Sequence, residues 1–141
     1  YCGKSSVDCF HKSKISGLLH FIKLLTELQG VIKGKKITIY TSRMYDDIEI
    51  ISVLRSRLQV SKNNISSMKV YICDDCDFSK ISHDRNIRFD NVVTSIGKGM
   101  ELFKDNVCNT NYICSINFKG QIFKSEFEAN LSGKSTSNSL I

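Results

Sequence analysis

A chain of 141 residues with 41% hydrophobic composition is long enough for one ordinary domain with its own core. No apolar run approaches the length needed to cross a bilayer, and Tyr1-Cys2-Gly3-Lys4 does not begin the long apolar stretch of a secretory signal. The expectation is a soluble cytoplasmic domain that is a piece of a longer protein. A net charge of +6, with a pI near 9.0, suits a phosphate-bearing partner such as nucleic acid or anionic lipid and does not choose between them.

Along the chain, Ile15, Leu18, Leu19, Ile22, Leu25 and Leu28 recur at three- and four-residue steps and Gly30 offers a stop, which predicts an amphipathic helix. Lys36-Ile37-Thr38-Ile39-Tyr40-Thr41 has strand composition. Asp46 and Glu49 stand in capping-box spacing before Ile50, Ile51, Leu54 and Leu58, which predicts a second helix, and residues 68–73 return to strand composition. Strand, helix and strand in that order imply a right-handed crossover between parallel strands. An acidic loop is expected over residues 74–82. Ile87 and Phe89 then alternate with Asn86 and Arg88, Asn91 makes a turn, and residues 92–96 supply a second strand, giving a hairpin in the same sheet.

Gly97-Lys98-Gly99 turns the chain into one or two helical turns at residues 100–103. A late strand over 112–118 and a last helical turn over 126–130 follow. Residues 132–139 have the Ser-rich composition of a frayed end. The sum is an α/β fold, a mixed but mostly parallel sheet flanked by helices. It forms a single domain over residues 1–131 with a flexible polar tail over 132–141.

Six cysteines in a domain of this size are not needed as disulfide staples. Cys108 and Cys114 read as small buried hydrophobes. Cys73-Asp74-Asp75-Cys76 has the spacing of half a zinc site, but a structural zinc takes four ligands and no second such pair follows. A strand end leading into an acidic loop is the preferred reading, and neither metal nor cofactor is expected.

The stretch His83-Asp84-Arg85-Asn86-Ile87-Arg88-Phe89-Asp90 spaces a histidine, a cation and a carboxylate as H-x-R-x4-D. Alternation puts His83, Arg85, Ile87 and Phe89 on one side of an extended chain, with Asp90 at its far end. Two arrangements are open. In a phosphate site His83 and Arg85 point the same way and Asp84 or Asp90 orients the imidazole. In a scaffold His83 bonds to backbone of the 74–82 stretch and Arg85 pairs with one of its aspartates. The carboxylates there outnumber what the motif needs, which favours the second geometry while leaving phosphate binding as the function of the face.

H-x-K-x4-D is the catalytic pattern of the phospholipase D superfamily, and His83, Arg85 and Asp90 match it with Arg in place of Lys. The chain more closely resembles the phospholipase D-like domain at the C-terminus of MIT-domain proteins, with its "HDR-x-I-x-x-D-N-G" and "I-G-R-G-L-D-x-F" segments. Here these read His83 to Asn91, without the Gly, and Ile96-Gly97-Lys98-Gly99-Met100-Glu101-Leu102-Phe103. The upstream "LLHFIKLL" and "KKITIYTS" are similar to family segments too, so the resemblance covers roughly residues 15 to 123.

Phospholipase D chemistry needs two such motifs face to face, one histidine attacking phosphorus and the other protonating the leaving oxygen. This chain has one, so turnover would require a homodimer with two His83 side chains across its axis. The Gly-Ser-x-Asn element that often accompanies an active motif is also absent. The resemblance therefore implies a non-catalytic module that binds anionic phospholipid headgroups as a peripheral membrane protein. It also implies an ESCRT link, with ESCRT-related proteins reached through another domain.

The candidate phosphate- or lipid-binding residues are His83, Arg85, Arg88, Lys98, Arg43, Lys35 and Lys36. Arg43 is included because ligands of open α/β sheets collect beyond the carboxyl ends of strands, here at Thr41-Ser42-Arg43. The other reading is a dimeric phosphodiesterase or nuclease with His83, Arg85 and Asp90 as catalytic groups and nucleic acid as partner.

Overall fold

In a computed structural model of the chain, residues 20, 21, 24, 25, 35–43, 48, 51, 52, 55, 56, 65–81, 85–96 and 114–140 are described. Strand β1 (Lys35–Ser42) forms where Ile37, Thr38, Ile39 and Thr41 place branched carbons on a pleated backbone. It pairs in parallel with β2 (Ile65–Cys73), Ile37 opposite Met68 and Tyr40 opposite Tyr71. Between them Ile48, Ile51, Ser52, Arg55 and Ser56 are helical and Ile51 is buried, so the strand–helix–strand unit expected from the sequence is present. His20, Phe21, Leu24 and Leu25 are helical as well, within the first expected helix.

Met68, Val70 and Ile72 are buried on one face of β2 and Cys73 on the other, the pattern of a strand covered on both sides. The second neighbour of β2 is unexpected. Residues 132–141, expected as a flexible tail, instead supply β6 (Ser135–Ser139), antiparallel to β2 with Cys73 opposite Ser135 and Lys69 opposite Ser139. Polar composition does not prevent this, because a strand is held by backbone hydrogen bonds and polar side chains suit the margin of a sheet. Leu131, fully buried, anchors the chain just before β6, and the Leu140 N–H donates to the Met68 carbonyl at 2.8 Å just after it.

The expected acidic loop is also ordered, as helix α1 (Asp75–Ile81). Its first-turn carboxylates, Asp75 and Asp77, and its last-turn Lys80 match the polarity of a helix. The Phe78 N–H donates to the Asp74 carbonyl at 2.8 Å, and the buried Phe78 ring fixes the helix to the core.

The hairpin forms as expected, from β3 (Asn86–Phe89) and β4 (Val92–Ile96), but in a second sheet, where β4 takes β5 (Cys114–Asn117) as its other neighbour. Among the described residues β1–β2 is the one parallel pair, and the sheets are mixed and mostly antiparallel rather than mostly parallel. A two-residue connection can only reverse a strand, and the antiparallel strands β6 and β5 take the second edges of β2 and β4.

A helical stretch joins the sheets. It comprises α2 (Gly120–Phe123), a π-helical turn (Lys124–Glu128) and α3 (Ala129–Gly133), longer than the single turn expected at 126–130. Gly120 opens it against the hairpin loop: a Cβ there would stand 2.3 Å from the Asp90 carbonyl oxygen. The core beneath contains Tyr40, Cys73, Phe78 and Leu131, with Tyr71, Ile81 and Phe123 packed against it.

Cys73 is buried at the end of β2 and Cys76 is exposed on α1, while Cys114 is exposed on β5 rather than buried. No group of three or more potential metal ligands occurs among the described residues. The expected features at residues 97–103, and Cys108, lie outside the described residues.

Candidate functional site

The hairpin register decides which motif side chains share a surface. Arg88 stands opposite Val93, and Ile87 opposite Thr94, which in turn faces Ile116 of β5. The Ile96 N–H donates to the Arg85 carbonyl at 2.8 Å, so the pairing runs one residue beyond β3 and sets Arg85 in a row with Ile96 and Cys114. Arg85, Ile87 and Phe89 therefore lie on one face, as alternation predicts, and Arg88 on the other. The Phe89 ring meets Phe21 of the first helical segment, centroids 6.4 Å apart.

Arg85 is exposed and its side chain has no ion pair among the described residues. No ion pair joins it to Asp74, Asp75 or Asp77 of that stretch; Asp74 pairs with Arg43 at 3.0 Å and Asp77 with Lys134 at 3.2 Å. The salt-bridged scaffold favoured from sequence is therefore not the geometry of Arg85.

Arg88 is held in place by protein groups. Its Nε and Nη2 donate to the two carboxylate oxygens of Glu128, and its Nη1 donates to the Asp90 carbonyl at 2.9 Å. This fork-to-fork pair is largely sheltered and ties the hairpin to the π-helical turn. Asp90 sits in the hairpin loop with φ 48°, in the left-handed region that Asp and Asn tolerate better than most residues. Val92, where the resembled pattern has its glycine, is here the first residue of β4.

The remaining candidates do not gather at one point. Thr41 and Ser42 are buried residues at the end of β1. Arg43, just beyond them, joins Asp74 and donates to Thr136 Oγ1 at 3.4 Å. Lys36 is exposed at the opposite end of β1, roughly 20 Å away at ~3.3 Å per residue, so the two cannot grip one headgroup. Lys35 belongs to the same end of the strand. His83, Asp84 and Lys98 lie outside the described residues.

Two features escaped sequence reasoning because both depend on the C-terminal stretch. A cleft of about 590 Å³ opens between the second helical segment and β6, lined by Ile51, Ser52, Arg55, Ser56, Ser137 and Asn138 among others. The other is a polar cluster at the end of the first sheet. Tyr40 stacks on Tyr71 at 5.0 Å and its hydroxyl meets Ser132 Oγ at 3.2 Å. Burial first, and then the Glu128 carboxylate and Tyr71, push the Tyr40 hydroxyl above the usual tyrosine range against the opposing bond from Ser132. Burial likewise raises the Cys73 thiol, with Asp77 and Asp74 adding to it. Both groups are therefore poor nucleophiles at neutral pH.

A mixed α/β domain with a lone H-x-R-x4-D hairpin has the character of a phospholipase D-like half. The family described as the phospholipase D-like domain at the C-terminus of MIT matches residues 9–125, and the chain belongs to that family. Comparison with curated proteins and with solved structures returned no match. Glu128, Leu131, Ser132 and β6 lie C-terminal to the matched stretch, yet Leu131 belongs to the core, Glu128 and Ser132 bond to Arg88 and Tyr40, and β6 pairs with β2.

Proposed function

We propose that the chain is a non-catalytic phospholipase D-like module that binds anionic phospholipid headgroups at the cytoplasmic face of membranes, as a homodimer and in ESCRT-type membrane remodelling. The observation that carries this reading is Arg85. It stands at the cation position of the family motif, exposed and without an ion pair among the described residues, on a sheet face shared with Ile87 and Phe89. An exposed guanidinium can grip phosphate oxygens at two points. A net charge of +6 favours approach to an anionic surface.

Hydrolysis would ask more of the site: a second histidine across a dimer axis and a cation compact enough to hold the phosphate in line, where this chain has Arg. Sedimentation with vesicles of phosphatidylcholine alone or mixed with phosphatidylserine tests the reading. Binding only to the mixed vesicles, weakened by added salt, is expected. Metal-independent cleavage of a phosphodiester, abolished by His83→Ala, would replace it with an enzymatic role. Light scattering checks the dimer, and a monomer at high concentration would contradict it.

A further inference from the structure

We propose that the corner where β5 runs into α2 is a membrane-inserting wedge, with Phe118 and Ile122 entering the interfacial layer of an anionic phospholipid bilayer. This rests on the lipid-binding reading and adds a second contact by which the module seats on its membrane. The corner exposes large apolar side chains in close succession: Ile116 is 65%, Phe118 74% and Ile122 53% accessible. Folding gains nothing from leaving them in water, and large apolar side chains exposed this close together in sequence mark a candidate docking site.

Charge and position select the occupant. Lys119 and Lys124, both exposed, alternate with the apolar residues, so insertion brings two ammonium groups to the headgroup level. Each contributes about 1 kcal/mol near an anionic surface. The chain bends at Phe118 between strand and helix, beside Lys119. Cys114 shares a row with Arg85, and Ile116 follows on the same face of β5, so Phe118 stands at the Phe89 end of the second sheet, away from Arg85. At ~4.8 Å between strands and ~3.3 Å per residue the two are roughly 16 Å apart. The wedge is therefore a contact with the bilayer separate from the Arg85 headgroup, apolar side chains going below the headgroups as for interfacial anchors generally.

The chain has no Trp, so a single introduced indole reports from one position. Phe118→Trp is compared with Ile48→Trp, at an exposed site on the second helical segment. With phosphatidylserine-containing vesicles, the Phe118→Trp emission should move to shorter wavelength and be quenched by brominated acyl chains, while the Ile48→Trp emission does neither. The double change Phe118→Asp and Ile122→Asp should lower vesicle partition at least about tenfold, equivalent to losing partial burial of two large side chains, with an unchanged melting temperature. Retained sedimentation with no change in Phe118→Trp emission overturns the wedge and leaves headgroup binding standing. Loss of all vesicle binding by the wild-type chain overturns both. A shift that appears without vesicles and grows with protein concentration means that a second copy covers the corner, and also overturns it.

Discussion

Arg85 and Arg88 are three positions apart and carry the same charge, yet opposite strand faces give them different work. Arg88 donates to both oxygens of Glu128 and to the Asp90 carbonyl from a largely sheltered position. Removing one partner leaves the other charge without its bonds, which costs about 2 kcal/mol. Arg88→Ala and Glu128→Gln should each lower stability in urea unfolding by about that much and leave vesicle binding of the folded protein unchanged. Lost binding at unchanged stability would move Arg88 into the headgroup site.

Tyr40 makes a second test at this scale. Its hydroxyl titrates higher in the folded chain than in the unfolded one, mainly through burial. The folded state therefore holds that proton more tightly. The resulting stability is fully present below the ordinary tyrosine value near 10 and is lost as pH rises toward the raised one. Tyr40→Phe should flatten the fall in stability above that pH. An alkaline profile identical to wild type would assign the fall to other groups.

Local spacing made the face of Arg85 legible, because alternation needs only the neighbours of a residue. It could not show the partner of Arg88, which is forty positions away on a segment whose composition gave no sign of it.

Among elements, those with period or branched-residue content were readable: both parallel strands, the hairpin and the helical segments around residues 20 and 51. Two were misjudged by composition. The acidic stretch is α1, because its carboxylates fall in a first helical turn and Phe78 has a core site to fill. The serine-rich end is β6, because the open ladder of β2 needs backbone partners whatever their side chains.

The junction between hairpin and helix depends on Gly120. Its N–H donates to the Asn91 carbonyl at 3.0 Å, and an added Cβ meets backbone atoms of Asp90 and Asn91 that cannot rotate away. Gly120→Ala should cost about 1–3 kcal/mol, whereas Gly133→Ala, with nothing near the added carbon, should not. Equal melting temperatures for the two variants would contradict this junction.

At the scale of the molecule, two small sheets are joined by one helical stretch through Glu128, Ser132 and Gly120. The first five strands were legible in the sequence, but neither β6 nor the division into sheets was, because that division depends on which open edge each strand reaches first. The division places the motif hairpin and β5 on a shared surface and separates it from the basic residues at the two ends of β1. Lipid recognition in this account is therefore a property of the second sheet, and Lys36→Ala or Arg43→Ala should affect it much less than Arg85→Ala.

The most direct measurement is sedimentation of Arg85→Ala with phosphatidylserine-containing vesicles, alongside its melting temperature. Roughly fivefold weaker binding is expected, corresponding to about 1 kcal/mol for one cation at an anionic surface, with melting unchanged because Arg85 is exposed and has no ion pair among the described residues. Full binding with a lowered melting temperature would make this residue scaffold and contradict the account.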